Sequence, residues 1–177
     1  MNKKYIFGIL TIFLLITLTV LLFQYDSYER VAKTFLEKYY EVTDNDLARV
    51  DRLFEAQKDV KNFSYEDYYS ELYEEYSGIL TVDAIDLLAK TTVLDDIDFI
   101  TYTEGLYYSI DDIKINLEKK EEKRRIYEYE VQLTAFDTLS NKKEEIIMNG
   151  QLSITNVEGV IMIDYAIMDF IPYGQRR

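Results

Sequence analysis

The 177-residue chain has no cysteine, no histidine and no tryptophan, and it contains one proline and six glycines. Without cysteine there is no disulfide, no thiolate metal site and no lipid-modified cysteine. Without histidine, the commonest general base and the commonest zinc ligand are missing. These absences exclude catalytic triads and dyads built on imidazole or thiol, so any acid–base chemistry would depend on carboxylates.

Residues 5–23 form an apolar run without a charge, directly behind two lysines. Nineteen residues in a helix reach about 28 Å, close to the roughly 30 Å hydrocarbon core of a bilayer. A cleaved signal peptide is the alternative, but the run exceeds the usual apolar core of about 7–15 residues and lacks a small-residue cleavage site. Because basic flanks stay cytoplasmic, we predict a cytoplasmic tail at 1–4, one span of the cell membrane at 5–23, an extracytoplasmic domain at 24–172 and a tail at 173–177.

The net charge of −13 is concentrated in the first half of the predicted domain. Residues 26–106 hold 20 acids and 8 bases (net −12), whereas residues 107–177 hold 13 acids and 10 bases (net −3). An acidic surface disfavours nucleic acid and anionic lipid headgroups, so we expect no direct contact with nucleic acid. Solubility is the simpler explanation of this acidity, and attraction of a basic partner is the alternative.

Apolar residues recur at helical spacing over 27–101, which predicts a helical first half of the domain. The first helix ends near Val42, and a Thr-Asp-Asn-Asp turn begins the second. A third helix, over 65–76, follows a capping box that starts at Ser64. Thr81 caps a short fourth helix. The inward residues of that fourth helix are predicted to be Val82, Ile85, Leu88 and Ala89.

The period of the apolar residues changes to two over 107–171, which is typical of strands with one buried face. The charged stretch 119–125 is predicted to connect the first two strands as a solvated loop. Gly150 lies in the third strand, where we expect a bulge or a bend. A short turn at 157–159 leads into a last strand over 160–171. Four strands joined in series predict an antiparallel meander.

Helices followed by a curved four-stranded meander define an α+β domain in which the helices cover one face of the sheet. Over 27–172, this order of elements and the strand lengths resemble the NTF2-like cone fold. A membrane-anchored form of it resembles the VirB8-like and TcpC-like proteins of bacterial conjugation and type IV secretion machines. The resemblance is architectural, and it implies a short cytoplasmic tail, one span and an extracytoplasmic domain that assembles with other envelope proteins.

Clusters of acids are the candidate metal ligands of this chain. They are Asp44 with Asp46, Asp95 with Asp96 and Asp98, and Asp111 with Asp112. A calcium loop beginning at Asp44 would need an oxygen ligand and then a glycine where Ala48 and Arg49 stand. Because these acids also suit helix caps and solvated turns, we predict no metal site and no cofactor.

Two groups of residues are candidates for binding. The predicted interior of the cone contains Tyr129, Met148, Met162 and Asp164, where a buried carboxylate with a raised pKa could serve as a base beside a small molecule. A solvent-facing Asp164 is the simpler alternative. The predicted third helix carries an aromatic and acidic face that could dock a basic partner, although a half-buried amphipathic helix would show the same pattern. The residues of that face are Tyr65, Tyr68, Tyr69, Tyr73, Tyr76, Glu71, Glu74 and Glu75.

The sequence therefore favours a non-enzymatic, single-pass membrane protein whose extracytoplasmic domain is an assembly or scaffold component of a cell-envelope complex. The resemblance implies a complex of the conjugation or type IV secretion type. Its expected partners are the membrane, other envelope proteins and further copies of itself. Two alternatives stay open. One is a cone that binds or converts a small molecule, and the other is an anchored inhibitor or immunity protein that caps a basic partner.

Overall fold

The computed structural model describes residues 27–58 and 65–169. The predicted span at 5–23, both predicted tails and the capping residue Ser64 lie outside this described part. Within it, no helix has the length and apolar character needed to cross a membrane. The described residues form five α-helices and then one four-stranded antiparallel sheet, which confirms the predicted α+β class.

The helices occupy the predicted first half of the domain. The described part of α1 covers 27–40. The others are α2 (Asp44–Lys58), α3 (Tyr65–Tyr76), α4 (Val82–Lys90) and α5 (Asp96–Glu104), which follows a 3₁₀ turn at Val93–Asp95. The separate identity of α5 was not predicted, because its apolar residues continue the pattern of α4 with only a short interruption.

Two of the helices begin with side-chain caps that the sequence indicates. The Thr43 hydroxyl and backbone N–H donate to the Asp46 carboxylate at 2.6 and 2.8 Å, which closes the first turn of α2. The backbone N–H of Ala84 donates to the Thr81 hydroxyl at 3.3 Å at the start of α4. Val82 is 64% exposed, so its predicted inward position is wrong. The buried stripe of α4 begins at Ala84, and Val82 lies in the first turn outside that stripe.

The sheet has the order β1-β2-β3-β4, and each strand pairs with its sequence neighbour. The strands are β1 (Leu106–Lys120), β2 (Arg124–Asp137), β3 (Lys142–Val157) and β4 (Val160–Met168). The predicted connection over 119–125 is shorter in the structure, because Lys119 pairs with Ile126 and Lys120 with Arg125. The β3–β4 turn consists of Glu158 and Gly159, both with positive φ (52° and 93°), as expected for the tight turn of a hairpin.

One face of the sheet packs against the helices and the other is open. Alternate residues of β2, including Tyr127, Tyr129 and Val131, are at most 3% exposed and join one core with Phe35 and Tyr40 of α1. Burial of these aromatic side chains removes apolar area from water and so stabilises the fold. The intervening residues of β2, which are polar in the main, lie on the open face, as the period of two requires.

A bulge or a bend was predicted at Gly150, and its pairing with Tyr129 in an unbroken register shows that there is no bulge. A Cβ at this position would lie 2.2 Å from the Ile167 carbonyl oxygen and 2.4 Å from the Tyr129 hydroxyl. The glycine is required because the Tyr129 side chain crosses the space that a side chain at 150 would fill. The bulge between β3 and β4 lies at Asp164 instead, because Ser153 pairs with Tyr165 and Ile154 with Ile163.

Both edges of the sheet carry features that limit pairing with another strand. The register between β1 and β2 shifts near Asp111 and again near Glu118, and such bulges twist an edge strand away from a flat template. On the other edge, the backbone N–H of Thr81 donates to Ile163 O at 2.9 Å, and Ile163 N–H donates to Ile79 O at 2.8 Å. These bonds fasten the α3–α4 connection to β4.

We predict that Gly150→Ala lowers the free energy of unfolding by about 1–3 kcal/mol, because the added methyl overlaps backbone and ring atoms in a packed region. Gly78→Ala is the matched control, since nothing lies within 4 Å of the added carbon there. Thermal and urea unfolding of the full chain in detergent measure both variants. Equal stability of the two variants would contradict the close approach of Tyr129 to Gly150.

Candidate functional site

A cleft of about 760 Å³ lies between α1, α2 and α3. Its lining is polar and carries six acids and three bases, a net charge of −3. The residues are Thr34, Glu37, Lys38, Glu41, Thr43, Asn45, Asp46, Arg49, Arg52, Glu71, Glu74 and Glu75. We call this region the acidic cleft.

The floor of the acidic cleft is organised by Arg49, which is 6% exposed. Its guanidinium donates to Asp98 of α5 at 2.8 Å and lies 3.2 Å from the Asp46 carboxylate one turn earlier on α2. It also donates to the Glu75 carboxylate of α3. One buried arginine therefore bonds carboxylates from three different helices, and the planar guanidinium suits this role because its donors point in several directions.

Lys38 extends this network to α1. Its ammonium lies 2.9 Å from the second oxygen of Glu75 and 5.4 Å from the centroid of the Tyr76 ring, a distance typical of a cation–π contact. Tyr76 is 2% exposed. Burial first, and then the charges of Glu75 and Asp98, raise the pKa of its hydroxyl well above the usual range. Tyr76 therefore stays neutral. Its aromatic ring forms an apolar surface beneath the ionic network.

The rim of the acidic cleft differs from its floor because its carboxylates are exposed. Glu41 at the end of α1 and Glu74 on α3 face solvent. Arg52 bonds Glu71 at 2.6 Å, but these two side chains are 59% and 45% exposed. Exposed ion pairs of this kind contribute little to stability and exchange readily with other charged groups. The rim can therefore accept basic side chains, whereas the floor is already occupied by Arg49.

The structure divides the predicted aromatic and acidic face of α3 into two parts. Glu71, Glu74 and Glu75 line the acidic cleft. Tyr76 belongs to the buried core, and Tyr69 and Tyr73 pack against it. The side chains of Tyr65 and Tyr68 lie outside the described part. Of these acids, Glu75 is bonded to Arg49 and Lys38 in the floor, whereas Glu71 and Glu74 lie at the exposed rim. The described tyrosines mainly stabilise the fold.

The four predicted interior residues are also separated. Tyr129 and Met148 are 3% and 2% exposed and belong to the core. Met162 pairs with Thr155 on the open face, and Asp164, the bulge residue, accepts a hydrogen bond from Arg124 at 2.5 Å. The bulge breaks the alternation that would have grouped Asp164 with Ala166, which explains the difference from the sequence-based expectation.

Side chains fill the space between the sheet and the helices. Tyr40, Tyr127 and Phe35 are among the largest fully buried residues, and they belong to one cluster with Tyr129. Burial raises the pKa of both Tyr40 and Tyr129, so both phenols are neutral at physiological pH. A second cleft, of about 480 Å³, lies by the open face of the sheet around Asn116, Glu128 and Gln151. It is smaller than the acidic cleft.

Three of the acids considered as metal ligands have other partners. Asp46 and Asp98 bond Arg49, and Asp111 accepts from the Thr134 hydroxyl at 2.7 Å. In the described ranges, 27–58 and 65–169, no group of three acids is placed to hold a metal ion. Sequence reasoning did not identify Arg49 as a site residue. The available signal was an arginine beside the inward residue Val50 and one turn after Asp46.

Comparison with known proteins gives low similarity. No protein-family model matches the chain. No curated protein matches it either. The intermembrane-space region of the chloroplast protein ARC6 is 12% identical, with a TM-score of 0.37, over 78% of this chain and 94% of that one.

Two further solved structures are similar to parts of the chain. An NTF2-like protein involved in plasmid conjugation is 10% identical with a TM-score of 0.42, over 87% of this chain and 52% of that one, so this chain spans about half of its length. A putative calcium/calmodulin-dependent protein kinase II association domain from Xanthomonas campestris is 13% identical with a TM-score of 0.29, over 47% of this chain and 57% of that one. At these values the comparisons assign neither a family nor an activity.

We predict that Arg49→Met destabilises the fold by about 3–5 kcal/mol, because it leaves buried carboxylates without their cation. Arg52→Met, one turn along on the same helix, removes an exposed pair and should cost less than about 1 kcal/mol. Urea unfolding of the full chain in detergent measures both. Equal, small effects of the two substitutions would show that Arg49 does not organise the cleft.

We also predict a pH-dependent contribution from Asp96. Burial raises the pKa of its carboxyl from 3.8 to about 6, although a hydrogen bond with Thr92 opposes the shift. Because the folded state then holds the proton more tightly than the unfolded state, stability falls as the pH rises from about 4 through 6. Asp96→Asn should remove this loss. The free energy of unfolding of the variant minus that of the unsubstituted protein should therefore be larger at pH 8 than at pH 4. Asp112→Asn, at an exposed position of β1, controls for the loss of one negative charge, and parallel pH profiles for both variants would contradict the assignment.

Proposed function

We propose that this chain is a non-enzymatic, single-pass membrane protein whose domain outside the cytoplasm serves as an assembly or scaffold component of a cell-envelope complex. The observation that carries the proposal is the acidic cleft, in which exposed carboxylates surround a fixed and buried ionic floor. The partner surface that suits this cleft is a segment rich in lysine and arginine. The apolar run at 5–23 supplies the attachment to the membrane.

The cleft favours binding of a basic segment for a physical reason. Its floor is held by bonds among α2, α3 and α5, so the helix that carries Glu71 and Glu74 is already fixed before a partner arrives. Prior positioning reduces the conformational entropy lost on binding. Charge-assisted hydrogen bonds from guanidinium or ammonium groups to these carboxylates would then supply affinity and accelerate association.

The finer assignment is an NTF2-like cone of the VirB8-like or TcpC-like kind, with a role in conjugation or type IV secretion. It is supported by the order of elements, since helices precede a four-stranded meander that they cover on one face. The proposed orientation has the amino terminus in the cytoplasm, because the two lysines precede the apolar run.

An anchored inhibitor or immunity protein is the second candidate, because the same acidic cleft would also fit a basic surface of a toxin or an enzyme. Identification of the partner in cells distinguishes the assembly function from the inhibitor function. A structural envelope protein supports assembly, whereas a soluble basic enzyme that loses activity in the complex supports inhibition. We do not propose a small-molecule cone, because Tyr129 and Met148, two of its predicted interior residues, belong to the buried core.

We predict that a photo-crosslinking amino acid at Thr34, inside the acidic cleft, captures a basic envelope protein in cells. The same probe at Thr103, an exposed threonine on α5, should not capture it. Mass spectrometry identifies the products. The combined change Glu41→Gln, Glu71→Gln and Glu74→Gln should reduce the Thr34 product at least tenfold, since three acceptors for cationic groups lose their charge.

The control for this charge change is Glu104→Gln, Glu122→Gln and Glu145→Gln, which removes three exposed carboxylates outside the cleft. This variant should give the same crosslinked product as the unsubstituted protein. If both triple variants lose the product equally, the partner responds to net charge and not to the cleft. Absence of any product at Thr34, with the protein found in the membrane, would refute the assembly role of the cleft.

A further inference from the structure

The β1–β2 and β3–β4 turns lie side by side at one end of the sheet. Arg124, the first residue of β2, pairs with Thr155 of β3, and the Thr155 hydroxyl donates to the Lys123 carbonyl oxygen at 2.9 Å. Thr155 in turn pairs with Met162 of β4. We call this end, formed by 119–125 and 157–160, the basic end of the sheet.

The first described turn of α1 lies at the basic end. The guanidinium of Arg125 lies 3.8 Å from the centroid of the Tyr28 ring, in stacking contact. Arg125 is only 9% exposed, so this is a packed contact that locates the start of α1 and not a chance approach of two surface side chains. The chain thus enters the described domain beside the two turns.

This position limits how far the basic end can lie from the predicted membrane span. Five residue steps separate Phe23, the last residue of the apolar run, from Tyr28. They reach about 8 Å in a helix and at most about 18 Å fully extended. If residues 5–23 cross the membrane, as the proposed function holds, the backbone of Tyr28 lies within that distance of the end of the span, and the basic end is in side-chain contact with Tyr28.

The chemistry of the basic end differs from that of the rest of the chain. Residues 119–125 hold five bases and two acids, and residues 157–160 add one acid, Glu158, so the basic end has a net charge of +2 in a chain of net charge −13. Lys119 pairs with Glu121 at 2.7 Å and Arg124 with Asp164 at 2.5 Å, while Lys120 and Lys123 are exposed. Beside them Val157 and Val160, which flank the β3–β4 turn, are 43% and 53% exposed.

The acidic cleft is placed towards the opposite end of α1. Its residues on that helix begin at Thr34 and continue to Glu41, just after the helix, whereas the contact with Arg125 is made by Tyr28. Thr34 and Glu41 follow Tyr28 by six and thirteen residues, which corresponds to roughly 9–20 Å along a helix axis. The domain therefore has one end with cationic and apolar groups and another end with exposed carboxylates.

We propose that the basic end of the sheet rests on the surface of a bilayer that contains anionic lipid headgroups. The lysines attract the headgroup phosphates, and the two exposed valines enter the interfacial region. The overall acidity of the chain does not prevent this contact, since charges beyond about one Debye length, roughly 8 Å, are largely screened. The contact orients the domain so that the acidic cleft points away from the membrane.

The test uses the full chain reconstituted into vesicles and takes advantage of its lack of cysteine. Glu122→Cys places a single fluorescent label at the basic end, and Leu139→Cys, at an 85% exposed position in the β2–β3 turn, places the label at the far end of the sheet. Energy transfer to an acceptor lipid reports the distance of each label from the membrane. Vesicles contain phosphatidylcholine alone or with phosphatidylglycerol.

We expect strong transfer from position 122 and weak transfer from position 139 in vesicles with phosphatidylglycerol. Transfer from position 122 should fall in phosphatidylcholine alone and at high salt. Lys120→Gln with Lys123→Gln should lower the ratio of docked to undocked domain about fivefold per lysine, roughly 25-fold for the pair. Lys33→Gln with Lys90→Gln, two exposed lysines on α1 and α4, should leave it unchanged.

The outcomes separate this inference from the proposed function. If the protein does not float with the vesicles, residues 5–23 do not anchor it and both proposals fail. If it floats but transfer from position 122 is independent of phosphatidylglycerol and of Lys120 and Lys123, the docking proposal alone is overturned. Equal transfer from both labels would overturn it as well, because the domain would then have no preferred orientation.

Discussion

The arrangement of the helices depends on one buried cation. Arg49 carries a charge that would be costly to remove from water by itself, and it is stabilised there by carboxylates of α2, α3 and α5. These bonds hold α3 against α2. The same bonds fix α3 beside α2, and the Lys38–Glu75 pair joins α1 to them, so that the three helices enclose the acidic cleft. Arg49 therefore both stabilises the arrangement of the helices and forms the floor of the acidic cleft.

Charge is distributed along the domain in a way that the net value of −13 conceals. Acids gather on the helical half and around the acidic cleft, whereas the basic end of the sheet meets the start of α1 through Arg125 and Tyr28. Net charge describes solubility, but recognition depends on the local field within about 10 Å of a surface. A chain that repels anionic surfaces on average can therefore present a small cationic area to one of them.

Particular residues show how far periodicity could predict this fold and its site. The alternation of Tyr127, Tyr129 and Val131 identified the buried face of β2, and the cap at Thr81 located the start of α4. Asp164 could not be placed, because a single extra residue in β4 changes the alternation beyond it and no local signal marked that bulge. The tyrosines of α3 were predicted to form a docking face. An aromatic stripe has the same helical spacing whether it is buried in the core or exposed to a partner, so the sequence does not distinguish the two.

The sequence by itself determined the α+β class, the order of helices and strands, the lack of imidazole and thiol chemistry, and the apolar run at 5–23. These properties follow from composition and short-range periodicity, which are local. Tertiary structure decided which acids share the acidic cleft, why Gly150 must be a glycine, and that Arg125 lies over Tyr28. Each of these depends on residues far apart in the chain, and only the packing of the sheet against the helices brings them within contact distance.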